Sequence, residues 1–198
     1  MNLKQQTVDT YNATAKEMAE KFNAIGPRVE DLERGFSLMS KRNPSVLEIG
    51  CGNGRDAKEI LKYTKNYLGI DISDSMIDIA NETVPNGIFE VADIETFSLP
   101  PNLDIIFSFA SLLHSEAKKI HNILNRAHEA LSENGIFYIS LKYGDGMITK
   151  TDQFGIRTYY FYTPEDIERM AGDKYEVLWS DKQDMLNQEW FTIALEKR

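Results

Sequence analysis

Three glycines set between carboxylates are the first residues in this chain whose types and spacing could do chemistry. Val46-Leu47-Glu48-Ile49 is a short apolar run, and Gly50-Cys51-Gly52-Asn53-Gly54-Arg55-Asp56 follows it directly. Glycines just after a strand let the backbone turn sharply and approach a ligand closely. Asp71 ends the next apolar run, about 20 residues on, where an acid can accept hydrogen bonds from ribose hydroxyls. Asp93 ends the run after that, in Val91-Ala92-Asp93-Ile94. Carboxylates at the ends of successive parallel strands point into one crevice. Alone, the loop would be a tight turn and each acid a helix cap or a solvated charge. Together they fit a polar ligand better.

Other reactive side chains are fewer. His114 follows a later apolar run and is the candidate general base, a positioned histidine being the commonest acid–base group. Its plainer reading is a helix-start residue bonded to backbone. His121 and His128 continue at seven-residue steps. Seven helical residues span about 10.5 Å, too far to share one ion, so no metal site is expected. Cys51 has no adjoining base and reads as a small residue tolerated in a tight loop rather than a nucleophile.

These groups need elements to hold them. The spacing of Val8, Tyr11, Ala15, Met18 and Phe22 predicts amphipathic helix over Met1 to about Arg42. Gly26-Pro27 interrupts it before a second helix from Val29 to Met39. From Ser45 the pattern alternates. Strands are expected at Val46–Ile49, Tyr67–Ile72, Ile88–Ala92, Leu103–Phe109 and Ile136–Leu141. Helices are expected at Asp56–Tyr63, after a cap at Ser73 or Ser75 through Ala80, and at Ala117–Leu131. Thr163-Pro164 opens a further helix that Gly172 closes. Tyr175–Trp179 and Trp190–Leu195 should pair as an antiparallel hairpin across a short polar stretch. Repeated βα units imply a mostly parallel sheet with helices on both faces.

The loop also discriminates between ligands. A dinucleotide fingerprint is G-x-G-x-x-G, its third glycine allowing close helix packing. Here the order is G-x-G-x-G, with Arg55 in the third fingerprint position. Glu48 would face a pyrophosphate unfavourably but could pair, directly or through water, with a ligand ammonium. Glu48-Ile49-Gly50-Cys51-Gly52-Asn53-Gly54 resembles motif I of the class I S-adenosylmethionine-dependent methyltransferases, and the likeness runs from Ser45 to Arg198. The resemblance implies that the loop lines the methionine part of the cofactor. It further implies that Asp71 holds the ribose, that Asp93 meets the adenine amino group and that Ile94 packs on the adenine ring. Arg55, Ile72, Met76, Phe109 and Tyr11 complete the expected cofactor site. The implied α/β fold is Rossmann-like, a doubly wound seven-stranded sheet of order 3-2-1-4-5-7-6 with strand seven antiparallel. Residues 1–44 would form a helical cap and 45–198 the cofactor-binding domain. The product would be S-adenosylhomocysteine.

Within that family the chain is similar to a bacterial, small-molecule-type subgroup. The likeness rests on Ser111-Leu112-Leu113-His114, on Ser140-Leu141-Lys142-Tyr143-Gly144-Asp145-Gly146, and on the aromatic run Tyr159 to Tyr162 before Thr163-Pro164-Glu165. Lys142, Tyr143, Tyr160 and Tyr162 could line the acceptor pocket, or they could complete an edge cluster of the core. With Gly144, Gly146 and Gly155 as hinges, the stretch from Tyr143 to Tyr162 is expected to be a mobile lid.

Composition limits the alternatives. Of 198 residues 42% are hydrophobic and 27% charged, as in ordinary soluble proteins. The formal net charge of -9 repels phosphate backbones, so a small-molecule acceptor is expected over nucleic acid. Cys51 is the only cysteine, and no apolar run approaches the roughly 20 residues of a membrane span. The polar start lacks a secretory pattern, and a cytoplasmic setting with no membrane partner is expected. Rival readings are a non-catalytic cofactor-binding regulator or partner subunit, a tRNA- or RNA-modifying methyltransferase, and a dinucleotide oxidoreductase.

Overall fold

Leu103-Asp104-Ile105-Ile106-Phe107-Ser108-Phe109 is apolar at five of its seven positions, which suits a strand lying mid-sheet with cover on each face. In the computed structural model, which describes residues 2–185 and 187–198, this is β4, and every one of its residues is buried. Met1, at the start of the expected N-terminal helix, and Leu186, in the expected polar connection, lie outside the described residues. Flanking β4 are β1 (Ser45–Ile49), β2 (Asn66–Asp71), β3 (Phe89–Val91) and β5 (Leu131–Lys142). Two further strands, β8 (Tyr175–Met185) and β9 (Gln188–Lys197), close the sheet. Its order is β3-β2-β1-β4-β5-β9-β8, with β9 antiparallel to both neighbours. Counting this sheet alone, the order is 3-2-1-4-5-7-6, as the resemblance implies. The strand order reverses between β1 and β4, and ligands bind beyond the carboxyl ends of strands at such a switch point.

Seven α-helices cover the sheet and its rim among the described residues. They are α1 (Leu3–Ala13), α2 (Ala15–Ile25), α3 (Val29–Ser37), α4 (Ala57–Ile60), α5 (Asp74–Thr83), α6 (Ala117–Ala130) and α7 (Pro164–Ala171). Ser73 caps α5 by accepting from Met76 N at 3.2 Å. Thr163 and Asp166 form a capping box on α7, satisfying two otherwise orphaned N–H groups. The helix expected over Asp56–Tyr63 is only four residues long. Beyond it Lys62 N and Tyr63 N bond three residues back, the tightening usual at helix ends.

The stretch from Tyr143 to Tyr162, expected as a lid, is built as an antiparallel hairpin of β6 (Met147–Asp152) and β7 (Gly155–Tyr160), in a separate two-stranded sheet. Ile148, Thr149, Thr151, Ile156, Thr158 and Tyr159 are β-branched or aromatic and suit strands. The turn closes where Asp152 Oδ1 accepts from Phe154 N at 3.0 Å, ahead of Gly155 at φ +116°. β8 and β9 also run further than expected. Their polar ends keep the ladder, because backbone pairing on an exposed ribbon does not need apolar side chains.

The N-terminal helices lie across the carboxyl end of the sheet. Met18 of α2 is fully buried against Met76 of α5, with Tyr11, Phe22 and Phe154 packed around them. Thr10 Oγ1 donates to Ile156 O at 2.8 Å, and Thr158 N donates to Thr7 Oγ1 at 3.2 Å. Helix α1 and the hairpin are therefore tied together over the switch point.

Candidate active site

The loop after β1 is built by its glycines. Gly50 N and Cys51 N donate to Ile70 O at 2.7 and 3.0 Å, which turns the chain back beside β2. A Cβ on Gly50 would collide with the Ser111 side chain, and one on Gly54 would press on Ala80 and Val84. Gly54 thus seats α5, while Gly52 does something different. It holds φ +54°, and nothing lies within 4 Å of where its Cβ would be. Its open side faces a cleft of about 180 Å³.

The cleft collects most of the residues expected to bind a cofactor. Gly50, Cys51, Gly52, Asn53 and Arg55 form one wall. Asp71, Ile72 and Met76 follow from the end of β2, and Asp93 and Ile94 from the end of β3. Phe109 and His114 close the side toward β4, and Tyr11 reaches in from α1. Asp71 Oδ2 accepts from Gly52 N and Oδ1 from Ser73 N, each at 2.9 Å. Burial pushes its carboxyl up, and the N–H groups of Ser73, Gly52 and Ile72 pull the other way.

Two of the expected cofactor residues lie elsewhere. Glu48 is buried at 2% exposure outside the cleft, where its Oε2 accepts from Tyr67 Oη at 2.5 Å. Burial, and then repulsion by Asp56, pushes its carboxyl up to about 8. A strand residue one position from the loop points to the opposite face of the sheet from Ile49, which sets Glu48 behind the loop. Gly54 is the other, turned toward α5.

The four expected acceptor residues also fall outside the cleft walls. Tyr162 is buried and donates to Ser115 O at 2.7 Å. Tyr160 Oη donates to Glu116 at 3.4 Å, and Tyr143 lies beneath Lys182 Nζ, 3.5 Å from the ring centre. Tyr160 and Tyr162 thus tie the end of the hairpin to the segment before α6, and Tyr143 packs against β8. Lys142 ends β5 with Nζ 3.9 Å from the centre of the Tyr159 ring. Burial, then the charges of Lys150, Arg157 and Lys21, pushes its ammonium down to about 8.

His114 lines the cleft, but both ring nitrogens are engaged. Nδ1 lies 2.6 Å from Thr158 O and Nε2 lies 3.1 Å from Tyr11 Oη. A carbonyl only accepts, so Nδ1 carries the proton and Nε2 accepts from the phenol. Burial pushes the imidazole down to about 4 and the Tyr11 phenol well up. The pair is neutral near pH 7.

Lys4 was not singled out from the sequence, although Lys4, Val8 and Tyr11 share one face of α1 at helical spacing. All three line the cleft. Lys4 Nζ donates to Asp93 Oδ2 at 2.6 Å and to Glu95 Oε1 at 2.7 Å. Burial works against its charge, but these carboxylates outweigh burial and raise its pKa. Asn53 Nδ2 donates to Asn23 Oδ1 at 2.9 Å, so α2 also holds the loop. Among the described residues no cluster of His, Cys, Asp and Glu could hold a metal ion.

This arrangement of sheet, loop and strand-end acids is similar to that of the class I S-adenosylmethionine-dependent methyltransferases. A TehB-like member from Corynebacterium glutamicum superimposes with a TM-score of 0.69 at 20% identity, over 94% of this chain and 99% of that one. Residues 46–135 match the family model described as a methyltransferase domain. Among curated relatives, 235L of Invertebrate iridescent virus 6, a provisionally named methyltransferase, is 38% identical over 60% of this chain and 45% of its own length. Malonyl-acyl-carrier-protein O-methyltransferase 2 of Ilyobacter polytropus is 26% identical over 90% of this chain and 68% of its own. The chain thus spans between 45% and 68% of the length of these two relatives.

Proposed function

We propose that this chain binds S-adenosylmethionine in the cleft and transfers its methyl group to a small-molecule acceptor. One observation carries the reading: the open side of Gly52 shares a single cleft with Asp71 and Asp93, at the ends of adjacent parallel strands. Each Asp71 oxygen takes one N–H bond and keeps a lone pair for a ribose hydroxyl. Asp93 would receive the adenine amino group, with Ile94, Ile72 and Met76 as apolar walls. The loop from Gly50 to Arg55 would hold the amino-acid end, beneath Tyr11 and Phe109. Bound S-adenosylmethionine would supply a methyl group on a sulfonium and leave as S-adenosylhomocysteine.

The chain's own contribution is position and dryness. Helix α1 covers the cleft, and in-line displacement gains from fixed geometry and excluded water. His114 is a positioning residue in this reading. Its Nε2 orients the Tyr11 hydroxyl toward the cleft, and as a neutral group it need not take a proton from the acceptor. In this reading residues 1–44 act as the cap and 45–198 as the binding domain. The narrow cleft and the net charge of -9 support a small acceptor over nucleic acid. No helix among the described residues is long and apolar enough to cross a membrane. Cys51, buried and unpaired, supports the reducing cytoplasm as its setting.

Calorimetry tests the central claim. Saturable heat with S-adenosylmethionine or S-adenosylhomocysteine is expected. Neither heat nor a thermal shift with either ligand would remove the reading. Methyl-labelled cofactor offered with metabolite extracts would then identify the labelled product.

A further inference from the structure

We propose that the acceptor carries an oxyanion, a carboxylate or phosphate, which seats between Lys142 and Arg157 at the carboxyl end of β5. This rests on the methyltransferase reading for the word acceptor, but the anion site stands on its own geometry. Lys142, Arg157, Lys21 and Arg28 are linked through shared aromatic rings, and Arg157 and Arg28 each lie over a ring that lines the cleft, Tyr11 and Phe109, in a protein of net charge -9.

Aromatic rings hold these cations more than carboxylates do. The Arg157 guanidinium lies 5.7 Å from the Tyr159 ring centre, 5.6 Å from that of Phe154 and 5.9 Å from that of Tyr11. Lys142 shares the Tyr159 ring and lies 5.8 Å from that of Trp190. Lys21 lies over Phe154 at 5.0 Å. Tyr11 lines the cleft, so the group adjoins it directly. The same proximity shows at His114, whose imidazole feels the charges of both Arg157 and Lys142.

The charges do not balance. Asp152 pairs with Arg157 Nη2 at 2.6 Å and reaches Lys150 at 4.0 Å. Asp31 pairs with Arg28 at 3.1 Å. Among the described residues no carboxylate lies within ion-pair distance of Lys142 or Lys21. Arg157 is 5% exposed, and its Nε–H has no hydrogen-bond partner. A buried guanidinium donor left unpaired is unfavourable, and it shares the Tyr159 ring with an ammonium that burial has weakened. One oxyanion would settle both, accepting from Nε–H and from the ammonium in charge-assisted bonds. The surrounding rings would take the apolar part of such a molecule. The plainer account, that the cations only pin the hairpin to the sheet, predicts no ligand at all.

Benzoate and phenyl phosphate are suitable probes, with benzamide and benzylamine as neutral and cationic counterparts. Each is titrated into the full chain with and without S-adenosylhomocysteine, following heat and the Arg157 Nε–H NMR signal. At least one anion should bind roughly tenfold tighter than benzamide, shift the Arg157 signal and lose that advantage in Lys142→Met. The variant should keep its affinity for S-adenosylhomocysteine. Benzamide binding as well as both anions, an unaffected Lys142→Met, or no saturable anion binding at millimolar concentrations would each overturn the site. Failure of S-adenosylhomocysteine to bind would overturn the methyltransferase reading alone, since the titrations without it still decide the anion site.

Discussion

Asp71 is asked to do two things with one carboxylate: hold the loop through Gly52 N and receive the ribose. Asp71→Ala should therefore weaken S-adenosylmethionine binding by roughly 1.5–3 kcal/mol, the range for hydrogen bonds to a charged group. Unchanged affinity by calorimetry would show that the ribose sits elsewhere. Gly52→Val should do more harm, because a branched side chain would enter the open cleft from a left-handed backbone at φ +54°. Normal affinity in the Gly52→Val protein would reduce the loop to a turn. His114 gives a pH prediction. Its imidazole is neutral above about 4, so turnover should show no limb near 6.5 that arises from it. A limb near 6.5 that disappears in His114→Gln would make it the base after all. The strand-end acids were legible in the sequence because strand ends can be read from apolar runs, and parallel strands aim their ends one way. The bond of Glu48 to Tyr67 was not legible, because it depends on the pairing of β1 with β2. Lys4 and Arg157 were not legible, since their partners lie far off in sequence, Asp93 and Glu95 for Lys4 and Tyr11 and Met18 for Arg157.

Elements decide how the cleft opens. Helix α1 is fastened at four points: Lys4 to Asp93 and Glu95, Tyr11 to His114, Asn12 to Ser73, and Thr7 and Thr10 to β7. A ligand that needs Asp93 must displace Lys4 or share the acid with it. Lys4→Ala should speed release of bound S-adenosylhomocysteine several-fold, in keeping with partly exposed ion pairs worth about 1 kcal/mol or less. Stopped-flow dissociation at an unchanged rate would show that this pair does not hold the cap. The hairpin makes the opposite prediction to a loose lid. The N–H groups of Ile156 and Thr158 bond to α1, so both should exchange slowly even in the free protein. Fast exchange at both would restore a mobile lid. The alternating core was readable because its strands are apolar and evenly separated by helices. The hairpin was not, because its glycines and polar threonines look like a loop until α1 supplies the missing partners for its edge.

At the scale of the whole molecule, three shifted groups make stability depend on pH in opposing senses. Glu48 titrates ordinarily near 4.5 but near 8 when folded. Between those values the folded protein holds a proton that the unfolded chain has released, so rising pH favours unfolding. His114 moves the other way, from 6.5 down to about 4. Between those values the unfolded chain holds the extra proton, so rising pH favours folding. Above 6.5 His114 is neutral in both states and contributes no further slope. Lys142 falls from 10.5 to about 8, so the unfolded chain holds the extra proton only above 8, and stability from this group rises there. The free protein should therefore lose Tm from pH 6.5 to 8 and begin to recover between 8 and about 9, above which the Cys51 thiol, pushed up by burial, opposes Lys142. Glu48→Gln should abolish the loss, because a neutral amide can still accept the Tyr67 hydroxyl but cannot ionise beside Asp56. Lys142→Met should abolish the recovery and leave the loss intact. Thermal melts across this range at constant ionic strength test both. If wild type and Glu48→Gln run parallel from pH 6.5 to 8, the carboxyl behind the glycine loop is ionised in the folded protein. The raised carboxyl assigned to Glu48 would then be wrong.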